Sequence, residues 1–125
     1  MSAGIFALVV LAGGLGGALR YWVDDCVRAR LGSAFPWGIL VVNLTGAFAL
    51  GLVTGGIGSL GLDDAFRLVL GVGFLGGYTT LSTASVDTVR LVRAGQPGRA
   101  LANSLGSLAA GVALAALGFT LGSLL

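Results

Sequence analysis

The sequence predicts an all-α membrane protein of four transmembrane helices with a break in the third, and three observations predict it. A mean hydropathy of +1.00, with 56% hydrophobic and 10% charged residues, cannot furnish a charged, water-soluble surface. Charge-free runs fall at Met1 to Leu19, Leu31 to Leu62, Leu68 to Val86 and Ala100 to Leu125. Each holds the ~20 residues that cross ~30 Å of hydrocarbon. Finally, the stretch GVGFLGGYTTLSTASVDT, from Gly71 to Thr88, replaces the centre of a membrane-grade segment with paired glycines, a tyrosine and hydroxyl side chains. Irregular backbone at membrane depth is tolerated only where it is buried in protein or lines a polar path, so this stretch marks the candidate site. The whole of residues 1–125 reads as one four-helix unit.

The first run has no basic stretch before it and no convincing cleavage site after it, so it reads as a helix, not a secretory signal. Arg20, at or just inside its end, is expected either to snorkel toward headgroups or to serve a structural role against helix-end carbonyls. Tyr21, Trp22 and Trp37 bracket the expected first loop, where amphipathic rings suit headgroup depth, and Pro36 can open the second helix. The pairs Asp24–Asp25 and Asp63–Asp64 read as solvated loop charge, with Asp63 and Asp64 also placed to cap the third helix. Adjacent carboxylates at a helix end point in different directions, which argues against paired acid–base catalysis. In the third span Gly71, Gly73 and Gly76 spell GxGxxG, but no strand precedes them, so helix packing is the better reading and no dinucleotide site follows. In the fourth, Asn103 and Ser107 stand four apart and share a helix face. The single Cys26 permits no internal disulfide.

Twenty-three glycines imply close helix contacts, because lipid supplies no hydrophobic drive and small residues let backbones approach. Gly13–Gly17, Gly51–Gly55, Gly73–Gly77 and Gly118–Gly122 all have the small-xxx-small spacing, and such faces on every span suggest a working unit of at least two chains. Charge sets the orientation. All seven basic residues are arginines, with Arg28, Arg30, Arg90, Arg93 and Arg99 flanking the first and third loops and Arg67 alone on the opposite side. Five against one predicts cytoplasmic first and third loops and external termini.

The polar groups expected at membrane depth are Asn43, Thr79, Thr80, Ser82, Thr83, Asn103 and Ser107, all neutral and all able to donate a hydrogen bond. They can serve as interhelical hydrogen bonds, or as a track whose donors replace the hydration water of a small anion without trapping it. A proton- or drug-coupled exporter would carry an intramembrane carboxylate or histidine, and only Asp87, near the exit of the third helix, comes close.

Three blocks carry a family likeness: GLGGALRY at Gly14 to Tyr21, FPWGILVVNLTG at Phe35 to Gly46, and GFLGGYTTLSTASVD at Gly73 to Asp87. In order and combination they resemble the Fluc/CrcB fluoride channels, four-helix membrane proteins that assemble as antiparallel dimers. The resemblance implies a passive, fluoride-selective channel in the plasma membrane, with no catalytic chemistry and no nucleic-acid partner. It implies that the carbonyls of Gly76 and Thr79 hold a structural sodium ion that is not transported. It assigns Asn43, Ser82, Thr83 and Ser107 to the pore, and Arg20 to the position of the family's first-helix arginine.

The chain departs from that pattern where it has Leu81 and Ala84 in place of phenylalanines, Asn103 in place of a tyrosine one turn before Ser107, and Asp87 in place of a glutamate. Aromatic ring edges can meet an anion and aliphatic side chains cannot. Together with the arginine bias, the lost rings suggest one half of a heterodimeric channel, or a half-pore or nonconducting subunit within it. A small four-helix drug exporter is the remaining alternative, disfavoured because Met1 to Leu19 has no carboxylate.

Overall fold

A computed structural model describes all of residues 1–125. Helix α1 (Ala3–Leu31) begins where the Ser2 hydroxyl accepts from the Ile5 N–H at 3.2 Å. It stops at Gly32, whose positive φ of 79° is left-handed territory that glycine enters freely. Helix α2 (Trp37–Leu60) starts immediately after Pro36 and ends at left-handed Gly61. The third span opens with α3 (residues 64–78), where the Asp63 carboxylate accepts from the Ala65 N–H. Its centre, Arg67–Leu75, is π-helical, and one α-helical turn at Gly76–Tyr78 closes it. Thr79 and Thr80 are extended, α4 (Leu81–Arg93) completes the span, and α5 (Pro97–Ser123) is the fourth. All four spans are long and apolar enough to cross a bilayer, so this is a multi-pass membrane protein.

The helices overrun their charge-free runs. α1 continues through Arg20, Asp24, Asp25, Arg28 and Arg30, and its 29 residues extend about 43 Å, well beyond the hydrocarbon. Asp24 and Asp25 are therefore helical, which corrects the expectation of loop charge, and Tyr21 and Trp22 lie along α1. Arg90 and Arg93 sit in the last turn of α4, and Arg99 in the first turn of α5. The five arginines still gather at one end of the bundle, but on helix ends, where Arg28, Arg30, Arg90 and Arg93 complement the negative C-terminal dipoles.

Glycine fixes the packing inside the chain. A Cβ on Gly51 or Gly55 would strike the α5 backbone at Ala115 and Phe119, and one on Gly118 or Gly122 would strike α2 at Phe48 and Leu52. Gly16, Gly73 and Gly77 do the same between α1 and α3, and a Cβ on Gly13 or Gly17 would lie 3.6 or 3.8 Å from the carbonyl of Gly73 or Gly77. All four small-xxx-small pairs are thus used within one chain, so they carry no argument for a second copy. The compact core beside the break is Val42, Leu75 and Tyr78, with Val42 fully enclosed.

Candidate functional site: an interrupted third span between two cavities

Glycines at 76 and 77 are followed by two β-branched threonines, which favour extended backbone and weaken any continuing helix. The last rung of α3 is the Thr79 N–H to the Leu75 carbonyl, 2.9 Å. Then side chains take over. Thr80 donates its N–H to Asn43 Oδ1 at 2.9 Å, and Asn43 Nδ2 donates to the Thr80 carbonyl at 2.9 Å. The asparagine amide pairs with the backbone of Thr80 as a second peptide group would. One residue turn later, the Thr83 N–H donates to Thr80 Oγ1 at 3.2 Å, a side-chain cap for α4.

Tyr78 anchors the other lip. Its hydroxyl lies 2.9 Å from Thr45 Oγ1, and Thr45 already donates its single proton to the Val41 carbonyl at 2.7 Å. Tyr78 is therefore the donor, and its ring stacks on Phe74 at 6.5 Å. Within the span the negative end of α3 and the positive end of α4 consequently face the same polar gap.

Helix α4 separates two cavities by its two faces. Leu81, Ala84, Ser85 and Thr88 line one of about 480 Å³, with Asn43, Thr79 and Thr80 opposite and Asn103, Ser104 and Ser107 from α5. Thr83, Asp87 and Arg90 line the other, about 390 Å³, at the arginine-rich end with Asp24, Arg28 and the 33–36 loop. There Arg28 donates to Asp24 at 2.7 Å, Arg90 stands 3.8 Å from Asp87, and both carboxylates are largely sheltered at 14% and 15% exposure. Asp24 occupies the space a Cβ on Gly38 would need, which lets α1 press against the start of α2. A carboxylate, Asp24, does lie further along the first helix, already paired with Arg28, while Met1 to Leu19 has none.

The structure brings Asn43, Thr79, Leu81, Ala84, Asn103 and Ser107 to the first cavity and Thr83 to the second, while Ser82 lines neither. Asn103 is only 4% exposed and donates to Thr88 Oγ1 at 2.9 Å, so much of its amide joins α5 to α4. Gly76 borders the first cavity as well. Arg20 pairs with no carboxylate of the chain. A Cβ on Gly17 would lie 3.9 Å from Arg20 Nη2 and 3.8 Å from the Gly77 carbonyl, which puts the guanidinium near the end of α3. Ser85, Thr88, Ser104, Thr45 and Tyr78 were missed from sequence. The spacing of Leu81, Ala84, Ser85 and Thr88 at i, i+3, i+4 and i+7 is the signal that finds the first pair.

Four spans around a polar, uncharged interruption define a small multi-pass membrane protein whose hydroxyls at the break have no acid–base group beside them. The chain belongs to the CrcB-like family, described as "CrcB-like protein, Camphor Resistance (CrcB)", whose pattern matches residues 7–119. It is 44% identical over 124 residues to the fluoride-specific ion channel FluC of Thermus thermophilus, covering 96% of each chain. It is 44% identical over 116 residues to FluC 1 of Leifsonia xyli, covering 93% of this chain and 85% of that one. With FluC 1 of Rubrobacter xylanophilus it shares 43% over 112 residues, 90% of this chain and 88% of that one. All three carry the name of fluoride-specific ion channels, a transport function and not an enzymatic one.

Proposed function

We propose that this chain forms a fluoride-selective channel that exports cytoplasmic fluoride passively across the plasma membrane. Such a leak protects the cell: HF enters neutral from an acidic medium, ionises inside, and the anion needs a dedicated exit. The observation that carries the reading is the break at Thr79 and Thr80, held by Asn43 between two cavities on the two faces of α4. Neutral donors at Asn43, Thr83 and Ser107 can replace hydration water without binding the ion too tightly to release it.

The donor set also fits a structural cation. Gly76 and Thr79 would hold a sodium ion through their carbonyls, because a hard cation takes oxygen ligands and these carbonyls sit at an interrupted helix end. When bound, that ion supplies positive charge at the negative terminus of α3.

Two copies in antiparallel arrangement complete the unit on this reading. Leu81, 82% exposed, lines the larger cavity, and hydroxyls at membrane depth call for protein cover, not lipid. The gathering of five arginines at one end supports cytoplasmic loops there and external termini. A fixed orientation, with Leu81 and Ala84 where rings are missing, favours a partner subunit that supplies the aromatic edges, making this chain one half of a heterodimer. Fluoride efflux from proteoliposomes tests both points. The chain co-reconstituted with its partner subunit is expected to empty vesicles of fluoride, and the chain alone to do so poorly. Rapid efflux from the lone chain would refute the heterodimer; no efflux from either preparation would refute the channel.

A further inference from the structure

The two carbonyls that the sodium reading requires are among those left without helical donors at the break, and theirs are the donors that side chains capture. In an uninterrupted helix the Gly76 carbonyl would accept from the Thr80 N–H, and the Thr79 carbonyl from the Thr83 N–H, four residues on. Here the Thr80 N–H goes to Asn43 Oδ1 at 2.9 Å, and the Thr83 N–H to Thr80 Oγ1 at 3.2 Å. One diversion comes from Asn43 on α2, the other from Thr80 just before α4.

We propose that Asn43 and Thr80 are positioning residues for the cation site, each capturing one N–H so that the Gly76 and Thr79 carbonyls stay free to ligate. The inference rests on the sodium reading above and adds what keeps that site open. It gives Asn43 a role besides facing the permeant ion, and it singles out a hydroxyl, Thr80 Oγ1, that accepts the Thr83 N–H while donating to Thr83 Oγ1 at 3.3 Å. Backbone amides are obligatory donors, so an N–H deprived of its side-chain acceptor has a strong reason to seek the nearest carbonyl. For the Thr83 N–H the helical acceptor would be the Thr79 carbonyl, four residues back, and bonding to it would occupy a cation ligand. Threonine at 80 also favours the extended φ of −150° and ψ of 119° found there, and valine shares that preference without the acceptor. Thr80→Val therefore separates the side-chain hydrogen bonds of Thr80 from its backbone propensity.

The test is thermal unfolding of the purified channel, this chain together with its partner subunit, across a sodium chloride titration, with N-methylglucamine chloride keeping ionic strength constant. The unsubstituted chain is expected to gain Tm with sodium in a saturable way, by mass action of a ligand on the native state. Thr80→Val should raise the half-saturating sodium concentration by about fivefold or more, the equivalent of a lost helix cap. Thr80→Ser, which keeps the acceptor, should leave it unchanged, and Asn43→Leu should raise it as Thr80→Val does. Where Thr80→Val does not fold, Thr80→Ala removes the same acceptor with less bulk. A half-saturation in the folded Val or Ala variant equal to that of the unsubstituted chain overturns the positioning role. An unsubstituted chain with no sodium-specific gain overturns the cation site itself, a failure visible before any substitution is made.

Discussion

Where α2 meets α5, Gly51 and Gly55 interleave with Gly118 and Gly122, and both helices run on undisturbed. Where the third span passes Asn43, Gly76 and Gly77 are followed by a break. The two regions share a residue type and differ in what stands opposite it. Across α2 and α5, backbone meets backbone, and the one interhelical side-chain bond, from Ser59 to the Gly122 carbonyl at 2.8 Å, lies near the helix ends. At the break an amide and a hydroxyl compete for backbone N–H groups. Glycine permits close approach in both places, and a side-chain acceptor at the right height turns permission into interruption.

The sharpest way to break that contrast is Asn43→Asp. A carboxylate can still accept the Thr80 N–H but cannot donate to the Thr80 carbonyl 2.9 Å away, and it places negative charge beside the proposed anion route. A unit charge about 4 Å from a passing anion at an effective dielectric near 20 repels it by about 4 kcal/mol, so fluoride efflux should fall roughly a hundredfold or more. Size-exclusion chromatography should still show the folded assembly, because the α2–α5 contact lies elsewhere. Efflux at the unsubstituted rate would remove Asn43 from the conduction path.

The other side of the comparison is probed by Gly118→Val. The added Cβ falls on the Phe48 carbonyl, where a rigid helix backbone and not a flexible side chain must yield. Forcing the helices apart should cost about 2–3 kcal/mol, read as a lower midpoint in detergent unfolding. An unchanged midpoint would mean that α2 and α5 are not locked by glycine. Gly58, with nothing within 4 Å of an added Cβ, is the matched control for a harmless substitution.

The four spans and the location of the break were legible in the sequence because hydropathy and the loss of apolar residues at GGYTT act locally. The helix ends were not. Charge ends a hydrophobic run but not a helix, and Arg28 four residues after Asp24 supports helical continuation into water through an i, i+4 pair. The π-helical stretch at Arg67–Leu75 carried no signal, since it coincides with Gly73 pressing against Val9 and Ala12, a contact between distant parts of the chain. The glycine spacings were read correctly as contact faces, yet spacing does not say whether the facing helix belongs to the same chain. At the site, Asn43 and Thr79 were legible as polar residues in apolar runs. Tyr78 and Thr45 were not, because their value lies in a bond between positions 33 apart.

That bond allows the smallest and most discriminating test. Tyr78→Phe keeps the buried ring and its stacking on Phe74 but removes the proton donated to Thr45, which retains its own bond to Val41. No buried acceptor is stranded by the change, so the loss should be about 1 kcal/mol, the net worth of one hydrogen bond. If Tyr78 anchors the lip of α3 to α2, hydrogen exchange should accelerate over residues 75–80 while the α2–α5 pair keeps its protection. Equal acceleration in both places would show that the break is not an independent unit. The contrast between a locked helix pair and a side-chain-held gap would then give way to a single cooperative bundle.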